Sequence, residues 1–358
     1  VRQPAVRIKS DDENITAVGV RRQKTPKRFF DEISCKSFYG GKKMKRTLAC
    51  MTAAMVAVSG LFAGGATDGK AGGKPQVGLV MKSLANEYFK TMEEGAKAYE
   101  RENGTFALTS VGMNSETDID TQINAIDNFI SKGVDLLVIA PADSTGLVAS
   151  VKKAVDAGIT VVNIDVKLDV GALKKAGLPE DFLFVGPDNA DGAELAGNAL
   201  GEKLGKGGKV FIIEGNPGAD NATQRKNGFL RSVKKYGLDL LASNTAHWET
   251  EEANSVMTNL LLRYPDVQGV MCANDSMVLG VVKALDAAGR KDVQVVGFDN
   301  IAAVQDMIKQ GKVLATVDQF GPDQAAMGIQ TGLDILGGKK LSGWQKTPVT
   351  LVTKETLK

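Results

Sequence analysis

Asp165, Asn274 and Asp299 each stand at the end of an apolar run, in VVNID over 161–165, VMCAND over 270–275 and VVGFD over 295–299. Carboxylates and planar amides placed this way can hold a small polar ligand through paired hydrogen bonds. The runs that carry them are rich in Val and Ile and alternate with helical stretches. That is the pattern of parallel strands buried on both faces. In open α/β sheets, ligands bind in the crevice beyond the carboxyl ends of the strands. Residue type and position therefore both point to a ligand cleft. Catalysis has no comparable support. His247 is the only histidine, and it neighbours Trp248 rather than a nucleophile. The sequence has no Cys/His cluster for a metal, no contiguous EF-hand loop and no Walker loop. It reads as a non-enzyme that needs neither cofactor nor metal.

The strand pattern recurs at 76–81, 106–112, 135–140, 159–165 and 182–185, with helical spacing over 86–103, 118–132 and 144–157. Ile119, Ile123, Ile126 and Ile130, for example, fall on one helix face. The pattern then restarts. Helical stretches at 191–204, 223–236, 251–263 and 277–288 alternate with strands at 209–214, 240–245, 267–272 and 293–298, and further strands fall at 313–317 and 350–352. Two successive sets of βα units predict an α/β fold of two similar doubly wound, Rossmann-like parallel-sheet domains. The glycines near 205–208 and 337–338 are helix stops. They lack the strand–turn–helix context of a dinucleotide fingerprint, which argues against an oxidoreductase of that type.

At 358 residues the chain can hold two domains, and 43% apolar with 24% charged residues suits a globular protein. Its net charge of +2 averages two unlike segments. Residues 1–66 carry thirteen Lys/Arg and five Asp/Glu, a net of +8; the remainder carries 31 and 37, a net of −6. The acidic remainder argues against a nucleic-acid partner. Within the basic head, Met44-Lys45-Arg46 precedes an uncharged apolar stretch over 48–62 and small residues at Ala63 to Ala66. This is the layout of a cleaved export signal, too short to span a membrane. Residues 44–66 are thus expected to be a signal peptide and 67–74 a flexible lead. Residues 1–43 are expected to be an upstream extension or a mis-assigned start, with translation beginning at Met44. After processing only Cys272 remains, so no internal disulfide is expected.

The segments VGLVMKSLANEYFKTMEEGAK, LLVIAPADS, VVNID, NATQRKNGF, PDVQGVMCANDSMVLG, DVQVVGFDN and LATVDQ, in this order and spacing, resemble the periplasmic sugar-binding proteins of ABC transporters, of the ribose-binding kind. The resemblance covers residues 75–357. It implies two domains joined by a three-segment hinge, 75–187 with 320–348 and 188–319 with 349–358. It implies a monosaccharide or polyol held between them, an ABC permease as partner, a chemoreceptor or sensor kinase as a second reader, a monomer, and a periplasmic location. Carried over position by position, it places Asn86, Tyr88, Phe89 and Asp165 on one side of the ligand. Arg225, Trp248, Asn274 and Asp299 fall on the other, and Gln319 near a crossover. Aromatic rings would cover the C–H face of a sugar while amides, carboxylates and a guanidinium take its hydroxyls. Asn216, in the loop after the 209–214 strand, is a further candidate.

Two positions depart from the ribose binders. Val166 stands where an arginine follows the first carboxylate, and Lys82 where a small hydroxyl residue is usual. A buried lysine needs a partner, so Lys82 is expected to pair with Asp165 or to meet a ligand oxygen. The departures open the ligand to other pentoses, hexoses, sugar alcohols and acidic sugars. The same fold serves as the sugar-sensing core of LacI-type transcription regulators, but the export signal stands where a helix-turn-helix would be needed.

Overall fold

The computed structural model describes residues 73–357. The expected export signal, the segment before it and residues 67–72 lie outside this range. From Gln76 the chain runs through β1 (Gln76–Ser83), α1 (Glu87–Asn103), β2 (Ala107–Met113), α2 (Ile119–Lys132), β3 (Leu136–Ile139), α3 (Val148–Asp156), β4 (Thr160–Ile164), α4 (Val170–Lys175) and β5 (Phe184–Pro187). The alternation repeats in α5 (Asn189–Leu204), β6 (Lys209–Glu214), α6 (Asp220–Tyr236), β7 (Asp239–Thr245), α7 (Thr250–Arg263), β8 (Gly269–Cys272), α8 (Asp275–Ala287), β9 (Gln294–Val296), α9 (Ala302–Lys309) and β10 (Ala315–Asp318). It closes with α10 (Gly321–Leu336), β11 (Trp344–Thr347) and β12 (Thr350–Thr353).

These strands build two six-stranded sheets, ordered β2-β1-β3-β4-β5-β11 and β7-β6-β8-β9-β10-β12. Pairing is parallel throughout, except that β12 runs antiparallel to β10. The two lobes share one strand order, and in each the order reverses beside the first strand, between β1 and β3 and between β6 and β8. This is the switch point where open α/β sheets bind ligands. The chain passes between the sheets three times: from β5 to β6, from β10 to β11, and from β11 to β12. Helix α10 packs on β3, β4 and β5 of the first sheet, and α5 packs on β8, β9, β10 and β12 of the second.

Local sequence explains the elements that matter for the cleft. The residues of β3 and β8 are all buried, as strands covered on both faces must be. Helix α1 buries Tyr88, Phe89, Met92 and Ala96 on one face, begins at the cap Asn86 and stops at left-handed Gly104. Helix α3 begins at Val148, later than its hydrophobic pattern suggests. The Asp143 carboxylate accepts from the backbone N–H of Thr145 and Gly146 at 2.8 and 2.7 Å, holding residues 143–146 in a turn. Helices α4, α9 and α10 and strand β11 are elements that the pattern did not mark. In α10 the glycines that blur the helical signal are contact points: a Cβ on Gly328 would sit 2.7 Å from Ile164 and one on Gly332 2.3 Å from Leu136.

Candidate functional site

The carboxyl ends of the two sheets face each other across one small, tightly closed cavity. Lys82, Asn86, Tyr88, Phe89 and Asp165 line it from the first lobe. Arg225, Trp248, Asn274 and Asp299 line it from the second, with Gln319 just after β10. Asn216 does not line it. Its carboxamide instead caps a turn by accepting from Gly218 N–H at 3.1 Å, and its NH₂ points to the Ala142 carbonyl of the first lobe at 3.5 Å. The short loop after β6 leaves it outside the cavity, at the seam between lobes. Two other residues do line the cavity, Glu116 and Asn221.

In the first lobe, β1 ends at the site and delivers Lys82, which is only 2% exposed. Its partner is Glu116 at 2.9 Å rather than Asp165. The other Glu116 oxygen accepts from the Asn86 carboxamide at 2.9 Å, while Asn86 Oδ1 accepts from Tyr88 N–H at 3.0 Å. Asn86 thus caps α1 and lines the cavity at once. The Lys82 ammonium lies 5.1 Å from the Phe89 ring centre and 5.4 Å from that of Trp248, within cation–π range. The Tyr88 hydroxyl donates to Asp165 at 3.4 Å. Val166, where ribose binders carry arginine, is fully buried in the core.

In the second lobe, Arg225 is anchored from several sides. Its Nε donates to Asn189 Oδ1 and its Nη1 to the Ala273 carbonyl, both at 2.8 Å, and Nη1 stands 3.5 Å from Asp299. The guanidinium stacks 3.8 Å from the Phe298 ring centre. Gln319 donates to Asp299 at 2.7 Å. Asn274 accepts from Met277 N–H at 2.9 Å as the cap of α8, and its NH₂ points to the Trp248 carbonyl at 3.4 Å.

Three cavity residues hold left-handed backbone conformations although none is glycine: Asp165 at φ 62°, Trp248 at φ 73° and Asp299 at φ 122°. Such conformations cost about 1–3 kcal/mol each and persist only where their surroundings fix them. Asn163 fixes the first, donating to the Val166 carbonyl at 2.8 Å and accepting from Leu168 N–H at 2.9 Å. Asp275 fixes the stretch after Asp299, accepting from Ile301 N–H at 3.1 Å and from the Thr316 hydroxyl at 2.8 Å. Fully buried and outside the cavity, Asp275 supports the site without lining it.

Closed around these groups, the cleft shifts their ionisation. Burial pushes the Asp165 carboxyl up, opposed by the charges of Lys82 and Arg225. Burial raises Asp299 to about 7, opposed by Arg225 and reinforced by Asp165. The Tyr88 phenol is pushed well above its ordinary value by burial and by the two carboxylates. Three polar atoms on the lining residues are buried with no protein partner: Trp248 Nε1, Gln319 Oε1 and Asn221 Oδ1. Among the described residues no group of three or more His, Cys, Asp or Glu is placed to hold a metal ion.

Residues 77–340 match the family model described as the periplasmic binding protein domain. The chain belongs to the periplasmic binding protein family. This periplasmic binding protein is 49% identical to the D-ribose/D-allose-binding protein of Pseudomonas aeruginosa over 288 residues, 78% of this chain and 89% of that one. It is 32% identical to the ribose import binding protein of Escherichia coli, over 79% of this chain and 92% of that one. Among solved structures it is similar to an ABC transporter periplasmic solute-binding protein of Actinobacillus succinogenes with bound D-allose. That match has a TM-score of 0.75 at 37% identity, over 79% of this chain and 99% of that one. A solute-binding protein from Burkholderia multivorans gives a TM-score of 0.76 at 46% identity, over 79% of this chain and all of that one. These relatives are binding and transport proteins, not enzymes. The two cavity residues that the sequence did not reveal differ in how they could have been found. Asn221 lies one helical turn before Arg225 and so shares its face. Glu116 sits in a polar loop with no periodic signal, and only the demand of buried Lys82 for a counter-charge points to it.

Proposed function

We propose that the protein is exported to the periplasm, binds a neutral monosaccharide of the ribose–allose class between its two lobes, and delivers it to an ABC permease. The observation that carries this reading is the set of buried, unpartnered polar atoms on Trp248, Gln319 and Asn221, lying among aromatic faces and opposed carboxylates. Each such atom costs about 1–3 kcal/mol while unpaired, and the hydroxyl rim of a sugar would satisfy them together. Asp165, Glu116 and Asp299 against Lys82 and Arg225 leave an excess of carboxylates, which favours a neutral sugar over an acidic one. The names of the relatives supply the sugar class. The residues lining the cavity are the proposed ligand contacts, and 75–187 with 320–348 and 188–319 with 349–358 the two proposed moving bodies. The protein would act as a monomer whose closed form the permease, and a chemoreceptor or sensor kinase, could read.

A thermal-shift screen against D-ribose, D-allose, other pentoses and hexoses, polyols and aldonic acids tests the reading. A ligand at 100 times its dissociation constant adds about 2.7 kcal/mol of stability. A shift with an amino acid or nucleotide, and none with any sugar or polyol, would overturn it.

A further inference from the structure

Two helices of the second lobe begin at the cleft without a cap of their own. Ala219 before α6 and Ile301 before α9 make no side-chain hydrogen bond to the first turn. Elsewhere Asn86, Asp118, Asp169, Asp188 and Asn274 cap α1, α2, α4, α5 and α8 locally, while α3, α7 and α10 also start without a side-chain cap. The missing caps of α6 and α9 come from across the cleft. Ser144, buried in the loop after β3, accepts from Asp220 N–H through its hydroxyl at 2.9 Å, and its own N–H donates to the Gly218 carbonyl at 2.9 Å. Glu87, at the start of α1, accepts from Ala302 N–H at 2.8 Å. Neither Ser144 nor Glu87 lines the ligand cavity.

We infer that Ser144 and Glu87 are positioning residues for ligand binding, supplying in trans the helix caps that α6 and α9 lack and so holding the lobes closed. The inference rests on the two-lobe binding reading above. The chemistry favours it at both ends. The first N–H groups of a helix have no partner within the helix, so an opening of the lobes hands them back to water and a closing satisfies them at fixed geometry. Glu87 adds charge: its carboxylate sits at the positive end of α9 and at the start of α1, where the macrodipoles favour an anion. Both caps lie beside binding residues. Glu87 stands between Asn86 and Tyr88, and Ala302 follows Asp299 by three positions. Asp220 precedes Asn221 and leads the turn that carries Arg225. Closing the caps therefore sets the cavity walls at their working separation.

The same logic extends to a third seam contact. Glu249, next to cavity-lining Trp248, makes no side-chain cap for α7. Its carboxylate reaches across to accept from Glu116 N–H at 3.1 Å. The adjacent residues Trp248 and Glu249 thus touch the ligand cavity and the opposite lobe.

The test compares Glu87→Ala, Glu87→Gln, Ser144→Ala and Ser144→Thr in the full protein, with D-allose as the probe. A helix cap is worth about two- to thirty-fold in an equilibrium constant, and the change should appear mainly as faster release. Glu87→Ala and Ser144→Ala should each weaken D-allose binding by a factor in that range, with the melting temperature of the ligand-free protein unchanged. Glu87→Gln and Ser144→Thr, which keep an acceptor oxygen, should regain most of the affinity. Unchanged affinity in both alanine variants overturns the inference, as does an equal loss of stability without ligand, which would mark the residues as merely structural. If the wild type binds no D-allose, it is the sugar reading that fails. Inter-lobe distances from paired spin labels in ligand-free protein then decide: a closed fraction in E87A/S144A equal to that of the wild type overturns the inference.

Discussion

The buried pair of Lys82 and Glu116 should control closure more than folding. Both side chains are 2% exposed and 2.9 Å apart. Both belong to the first lobe, yet part of their cover comes from the second, where the Trp248 ring lies 5.4 Å from the ammonium and the Glu249 carboxylate holds the Glu116 backbone N–H. Removing one member of a buried pair leaves an uncompensated charge, at about 3–5 kcal/mol. With the lobes open, water relieves that charge, so the penalty falls on the closed state. Glu116→Ala should therefore weaken ligand affinity by about two to three and a half decades, with little change in the melting of ligand-free protein. Lys82→Met should do the same, and K82M combined with E116A should lose far less than the two single changes together. Isothermal titration of the four proteins with D-allose gives the cycle. A coupling energy of at least about 1.5 kcal/mol is expected. Additive losses, or E116A binding within threefold of the wild type, would refute the reasoning.

Two further outcomes follow from the site. Burial raises the Asp299 carboxyl from its ordinary range to about 7. A carboxyl raised in the folded state contributes stability that is fully present below its unfolded value near ~3.9 and is lost as pH rises through the folded value. Because that burial belongs to the closed cleft, wild type should lose affinity for D-allose as pH rises between about 4 and 7 while Asp299→Asn keeps a flat profile, and parallel profiles across that window would contradict the assignment. Gly215 lies under the indole of Trp248, where an added Cβ would come within 2.1 Å of the ring. Gly215→Ala should push the indole into the cavity and weaken sugar binding at least tenfold, or about 1.4 kcal/mol. Titration at unchanged affinity would show that the ring can move aside.

Much of the cleft was legible because strand ends leave a one-dimensional trace. An apolar run that stops on Asp165 or Asp299 announces both the strand and the place where its side chain emerges, and the alternation with helices predicts which ends share a face. The doubly wound lobes were readable for the same reason. Other features depend on which parts of the chain meet, and no local pattern carries that information. Helix α10 was hidden because Gly321, Pro322, Gly328 and Gly332 depress its helical signal. Those small residues are there for close approach: Gly328 meets Ile164 on β4 and Gly332 meets Leu136 on β3. Asn216 was placed by its loop at a strand end, but the loop turns through Gly218 and directs the amide to the seam instead.

Lys82 shows how far a sequence argument can go and where it stops. Burial of a lysine at a strand end demands an anion, and the demand holds whatever the partner is. The partners expected from sequence were Asp165 or a ligand oxygen. The structure satisfies the demand with Glu116 and leaves Asp165 to the Tyr88 hydroxyl. That exchange changes the chemistry of the cleft. Asp165 and Asp299 face each other without a dedicated ion-pair partner on the first-lobe side, and burial raises both. A carboxyl raised to about 7, as Asp299 is, can donate as well as accept, and sugar hydroxyls need both.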